Sequence, residues 1–152
     1  MKICSACLLE IKCRYDGKYK PNKKVVRLLE KEILIPVCPE QLGGLKTPRL
    51  GSGILGGDGK GVLSGKARVI NRKQEDWTGN YFKGAKEVLK IAKRFKIKEA
   101  ILKQGSPSCG CGEVFQWKVV NGKWSNRRRK GDGVTTALLK KNGIRVITEE
   151  EL

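Results

Sequence analysis

The sequence contains no histidine. That excludes Ser-His-Asp and Cys-His catalytic groupings and every zinc site built on imidazole. Acidic residues are scarce as well: 15 Asp+Glu stand against 33 Lys+Arg, a formal charge of +18 that points to a polyanionic or phosphorylated partner. No apolar run approaches the roughly 20 residues that cross a bilayer. The stretch from Ile3 to Leu9 is broken by Ser5 and stops at Glu10 and Lys12 without a small-residue cleavage site. No membrane span and no secretion signal are read, and a cytoplasmic protein is expected.

What is present fits one domain. The 152 residues can bury roughly 70% of their unfolded surface in a single core, so one unit over 1–152 is expected without help from disulfides. Six cysteines in a chain without a secretion signal favour metal binding or thiol chemistry over a disulfide framework, with ordinary buried thiols as the alternative. The sharpest basic cluster is Arg127, Arg128, Arg129 and Lys130 beside Trp124. Guanidinium forks there could hold phosphates while an indole stacks on a base; a solvated, self-repelling loop is the other reading.

Periodicity divides the chain into alternating elements. A strand is expected over Met1 to Cys7, then a helix capped by Asn22 with Val25, Val26, Leu28 and Leu29 at helical spacing. A second strand spans Ile33 to Val37. Gly43 to Gly65 holds nine glycines and reads as an irregular loop, but not a P-loop, because Ile54 and Gly61 replace required residues. A strand over Ala67 to Asn71 precedes an amphipathic helix after Thr78, carrying Tyr81, Ala85, Val88, Leu89, Ala92 and Phe95. Glu99 to Leu102 is a strand, and Val114 to Val120 opens a hairpin at Asn121-Gly122. The last unit is a helix from Gly133 to Asn142, ended by Gly143, with a closing strand from Arg145 to Ile147. Such alternation predicts an α/β fold with a mostly parallel sheet and helices on both faces.

These sheets bind ligands beyond the carboxyl ends of their strands. Cys7 ends the first strand, Cys38 ends the second and Cys109 follows Glu99 to Leu102, so three thiols from distant positions gather at one edge. Without histidine they suit zinc completed by a fourth cysteine, or an iron–sulfur cluster. Cys4 and Cys7 have zinc-ribbon spacing, but Cys109 and Cys111 do not. If Cys4 and Cys7 begin and end a strand, their side chains also point to opposite faces. A [4Fe-4S] cluster on three cysteines leaves one open iron, a Lewis acid for a soft donor such as sulfur. Core packing is the reading for Cys4; Cys13 and Cys111 stay open.

Ser5-Ala6-Cys7-Leu8-Leu9, Cys13-Arg14-Tyr15-Asp16-Gly17, Pro36-Val37-Cys38-Pro39-Glu40-Gln41-Leu42-Gly43-Gly44-Leu45 and Thr47-Pro48-Arg49 together resemble the thiouracil desulfurase family. The resemblance continues through Gly56-Gly57-Asp58-Gly59, Gly65-Lys66-Ala67-Arg68-Val69, Ser106-Pro107-Ser108-Cys109-Gly110 and Gly131-Asp132-Gly133-Val134-Thr135, in family order. It implies a Rossmann-like fold, a [4Fe-4S] cluster on Cys7, Cys38 and Cys109, and removal of sulfur from thiolated uracil without net redox change. It also gives Glu40 and Ser106 catalytic or positioning roles. Two departures stand out: Glu10 replaces the glycine usual after the Leu-Leu pair, and Arg127 to Lys130 makes the segment before Gly131 unusually basic.

The expected mechanism has the open iron polarise the thiocarbonyl while water, deprotonated by Glu40, attacks the ring carbon and Ser106 orients base or water. Asp16, Ser108 and Arg49 are candidate substrate-binding residues, although Tyr15-Asp16-Gly17 reads as readily as a turn. The substrate is a thiolated base or nucleotide, or thiolated tRNA, with the absence of an evident appended RNA-binding domain favouring the first two. Two rivals remain: an RNA-binding module with a structural metal, and another open-site cluster enzyme that dehydrates hydroxy acids or transfers sulfur to tRNA. Oligomeric state is not legible.

Overall fold

The computed structural model describes residues 1–152. Strands β1 (Lys2–Ser5), β2 (Leu34–Val37), β5 (Glu99–Leu102) and β8 (Arg145–Thr148) form a parallel sheet in the order β2-β1-β5-β8. The expected single sheet is corrected by a second one. Strands β3 (Ser52–Leu55), β4 (Arg68–Asn71), β6 (Glu113–Val120) and β7 (Lys123–Lys130) assemble separately in the order β4-β3-β6-β7. This sheet is mixed: β3 runs parallel to β6, but β4 and β7 return antiparallel to their predecessors. The return of β7 is forced by the two-residue turn, where Asn121 and Gly122 adopt φ of 50° and 73°, the left-handed geometry such hairpins require.

Helix α1 (Lys23–Leu28) starts where Asn22 caps it, its side chain accepting from the N–H groups of Lys24 and Val25. Helices α4 (Thr78–Arg94) and α5 (Val134–Lys141) fall where their patterns place them. One face of the parallel sheet packs Ile3, Ala100, Leu102 and Val146 against Val88, Ala92 and Leu139 of α4 and α5. Its other face buries Cys4, Leu34 and Ile101 with Val25 of α1. Helices therefore do cover both faces of this sheet. The mixed sheet buries Ile54, Val69 and Val114 with Val62, Tyr81, Ala85 and Val134. Helix α4 serves both sheets, Tyr81 and Ala85 toward one and Val88 and Ala92 toward the other.

Three further expectations are corrected. Strand β1 stops at Ser5, and Ala6–Leu9 form a 3-10 turn closed by Glu10 in the left-handed region (φ 67°). That is the backbone a glycine adopts without strain. Cys7 thus lies in the turn, and it joins the same buried cluster as Cys4 instead of facing away from it. The glycine-rich segment 43–65 is not one loop, because it contains β3 and the short helix α3 (Gly59–Leu63), started by the Asp58 side chain. The basic run is not a loop either. Arg127, Arg128, Arg129 and Lys130 pair with Gln116, Phe115, Val114 and Glu113 along β7, an edge strand, where charge is tolerated and blocks further pairing. No helix is long and apolar enough to cross a membrane.

Candidate active site

The neighbours of β1 in the parallel sheet, β2 and β5, lie on opposite sides of it. The crevice beyond such a point is where open parallel sheets bind ligands, and here it is a cavity of about 640 Å³. Cys7 reaches it from the turn after β1, Cys38 from the residue after β2, and Cys109 from the loop after β5. Glu40, Ser106 and Arg49 line the same cavity. Asp16 and Ser108 do not. Asp16 closes the turn of residues 14–18, accepting from the Lys18 N–H at 3.0 Å. Ser108 is packed beneath α5, with its carbonyl accepting from Thr135 at 2.9 Å.

A fourth thiol is present that spacing left open. Cys13 lines the cavity, its side chain meets those of Cys38 and Cys7, and its carbonyl lies 3.6 Å from the Cys38 sulfur. A hydrogen bond with Cys38 draws the Cys13 thiol down, but Cys7 and burial outweigh it and hold Cys13 at about 11. The bond to Cys13, then burial, pushes Cys38 up, and burial foremost pushes Cys109 up. Cysteines hold a soft metal group as thiolates, so binding one here would displace their protons. No three Cys, Asp or Glu side chains stand at the spacing of donors to one metal ion. Cys7, Cys13, Cys38 and Cys109 share one cavity.

Glu40 stands on the first turn of α2 (Pro39–Leu42), directly after Cys38. Arg49 grips its carboxylate through Nε at 2.6 Å and Nη2 at 2.5 Å. The other Arg49 donors go to the carbonyls of Lys46 and Cys13 and the hydroxyl of Thr47. Arg49 is therefore a brace between Glu40 and the Cys13 segment, with its guanidinium committed to the protein. Burial works against its charge, but Glu40 and the neighbouring Cys38 outweigh that and raise Arg49 further. Ser106 Oγ accepts from the N–H groups of Ser108 and Cys109, at 3.2 and 3.4 Å. With its oxygen held by those bonds, its own proton can be donated into the cavity.

The opposite wall was not legible from motifs. Phe115, Trp117, Asn126 and Arg128 reach the cavity from the β6–β7 hairpin, and Ser52 from β3. Two bonds anchor the hairpin: Trp117 Nε1 donates to the Ile70 carbonyl at 2.8 Å, and Asn126 Nδ2 to the Ser52 carbonyl at 3.0 Å. Ser52 also shares a hydrogen bond with Tyr81, a fully buried phenol raised by burial and by the nearby Glu40 charge. Strand alternation could have found the aromatic face, since Phe115 and Trp117 are two apart; nothing local indicates that it faces the thiols.

Known proteins resemble this chain over nearly its whole length. YbbK of Bacillus subtilis strain 168, an uncharacterized protein, is 42% identical over 152 residues, covering 100% of this chain and 97% of its own. The solved structure of TudS, a [4Fe-4S]-dependent thiouracil desulfidase, superposes with a TM-score of 0.81 at 35% identity, over 99% of this chain and 91% of that one. A 2-thiouracil desulfurase family model matches residues 3–151. Sequence and fold agree across nearly the full length, and the chain belongs to the 2-thiouracil desulfurase family of enzymes.

Proposed function

We propose that this enzyme replaces the sulfur of thiolated uracil with oxygen, using a [4Fe-4S] cluster held by Cys7, Cys38 and Cys109. The observation that carries the reading is the convergence of those thiols, Glu40 and Ser106 on one cavity. The donor set fits the group, being all sulfur and brought to one cavity; TudS supplies the analogy for its type. When bound, such a cluster presents an iron without a protein ligand that draws electrons from a coordinated sulfur.

The chain's own residues do the rest. Glu40, fixed by Arg49, accepts a proton from the water that adds to the thiocarbonyl carbon, while the Ser106 hydroxyl orients the base. Phe115 and Trp117 offer the ring an apolar wall. Water supplies the new oxygen, the carbon–sulfur bond breaks, and sulfur leaves as hydrosulfide, so no electrons are gained or lost. Family membership sets aside the reading as a metal-stabilised RNA-binding module alone, and favours desulfuration over dehydration or sulfur insertion.

The test is anaerobic turnover of 4-thiouracil, its nucleoside monophosphate and thiolated tRNA, following loss of thiocarbonyl absorbance with cluster-loaded and metal-free protein. Cluster-dependent formation of uracil or uridine monophosphate is expected. An intact cluster that converts none of the three substrates overturns the proposal.

A further inference from the structure

The hydroxyl of Ser5 has no part in the desulfuration steps above, yet it stands among the groups that carry them. Ser5 ends β1, is 3% exposed and lines the cavity, as does Cys109, which is 5% exposed. Strands β1 and β5 run in parallel with Cys4 beside Ile101, so Ser5 lies at the end of β5, before the loop that carries Cys109. There the Lys103 N–H donates to Ser5 Oγ at 2.9 Å. A hydroxyl has one proton to give. With its oxygen engaged by Lys103, that proton goes to the Cys109 sulfur, to which the Ser5 side chain hydrogen-bonds. Burial pushes the Cys109 thiol up, and the Ser5 bond acts against it.

Cys38 is served differently. Its sulfur receives the backbone N–H of Gln41 on α2, with Arg49 Nη2 4.0 Å away. The donor to Cys109 is a side chain, which a substitution removes without touching the backbone. A hydrogen bond to a cysteine sulfur draws electron density from the metal centre that the sulfur holds, and such bonds are among the factors that set iron–sulfur potentials. We infer that Ser5 tunes the cluster through Cys109: its hydroxyl donates to the ligand sulfur, which leaves the open iron poorer in electrons and the cluster easier to reduce. Ser5 touches no reacting atom and is a positioning residue. Desulfuration exchanges no electrons, so the potential reports electron density at the cluster and not a step of turnover. The inference rests on the cluster assigned to Cys7, Cys38 and Cys109 under the proposed function.

The experiment compares the cluster-loaded wild type with S5A, S5T and S5V by iron and sulfide content, by redox titration followed in electron paramagnetic resonance, and by the iron–cysteine stretching bands in resonance Raman. S5T keeps a hydroxyl, and S5V has nearly its size without one. S5A and S5V are expected to hold the cluster at a lower reduction potential, with an iron–cysteine band moved to higher frequency. Their kcat should fall about tenfold, within the range for removing a group that supports a metal ligand, while S5T stays near wild type. A wild-type potential in loaded S5A or S5V overturns the inference, as does an S5T that falls in with them. If S5A and S5V come out empty of iron, circular dichroism of the metal-free proteins decides. Intact folds beside a loaded S5T support the role at the cluster; loss of the fold makes the hydroxyl a structural group and overturns it. A wild type that takes up no cluster defeats this inference and the proposed function together. A loaded wild type that converts no thiolated uracil defeats the desulfuration reading alone, while the potentials still divide by the hydroxyl.

Discussion

The two walls of the cavity are built on opposite principles. The thiol wall comes from turns at the carboxyl ends of three parallel strands, with Cys7, Cys13 and Cys109 buried and an arginine bracing the loops. The hairpin wall comes from one local ribbon with exposed aromatics and cations, anchored by bonds to Ile70 and Ser52. On the proposed function, the reacting groups sit on the wall whose parts come from across the chain, where no single segment can drift alone. The ring would then meet a wall supplied by one hairpin, through Phe115 and Trp117.

The largest expected effect tests the first wall. Cys7→Ala, Cys38→Ala and Cys109→Ala should each abolish cluster binding and turnover, read as iron and acid-labile sulfide per chain. Cys4→Ala should keep both, because Cys4 lies in β1 away from the cavity lining. Full cluster content in the Cys109 variant would break the division of labour at its root. Next comes Glu40→Gln, which should retain iron but lose about 10²–10⁴-fold in kcat, the range for removing a general base; wild-type kcat would remove Glu40 from the reaction.

A smaller effect tests the independence of the walls. Trp117→Phe keeps a ring in the cavity but removes the hydrogen bond to the Ile70 carbonyl, so stability should fall by about 1 kcal/mol and KM should rise with iron unchanged. Iron loss in this variant would show that the hairpin supports the thiols after all. The last effect appears only at alkaline pH in metal-free protein. Burial, aided by the Glu149 charge, pushes the Cys4 thiol up from 9.0 to about 12. The folded chain therefore binds the extra proton, and its contribution to stability is complete below pH 9 and declines between 9 and 12, by about 1.4 kcal/mol per pH unit. Cys4→Ala should lessen the alkaline decline in denaturant midpoints, the part set by Cys13, Cys38 and Cys109 remaining.

Much of this was legible along the chain. Asn22, Gly143 and the pattern through Tyr81, Ala85 and Val88 marked helices through local chemistry, and the ends of β1, β2 and β5 placed three thiols together through topology alone. What failed was what depends on distant partners. Segment 43–65 looked irregular because its glycines mask β3, whose pairing comes from β4 and β6. The arginines of β7 looked like a loop because an edge strand shows charge where an inner strand would show apolar alternation. The bracing bonds of Arg49 were hidden too, because Glu40 and Cys13 approach it only on folding.

That same arginine bears on the protein's life in air. Iron–sulfur centres with an open iron are vulnerable to oxygen, and in many small metal proteins losing the metal means losing the fold. Here the segments bearing Cys13 and Cys38 are joined by hydrogen bonds from Arg49 and by the Glu40 ion pair. On the proposed function, a pocket tied in this way is expected to keep its shape when the cluster is lost, so that repair would need a cluster donor and not a new polypeptide.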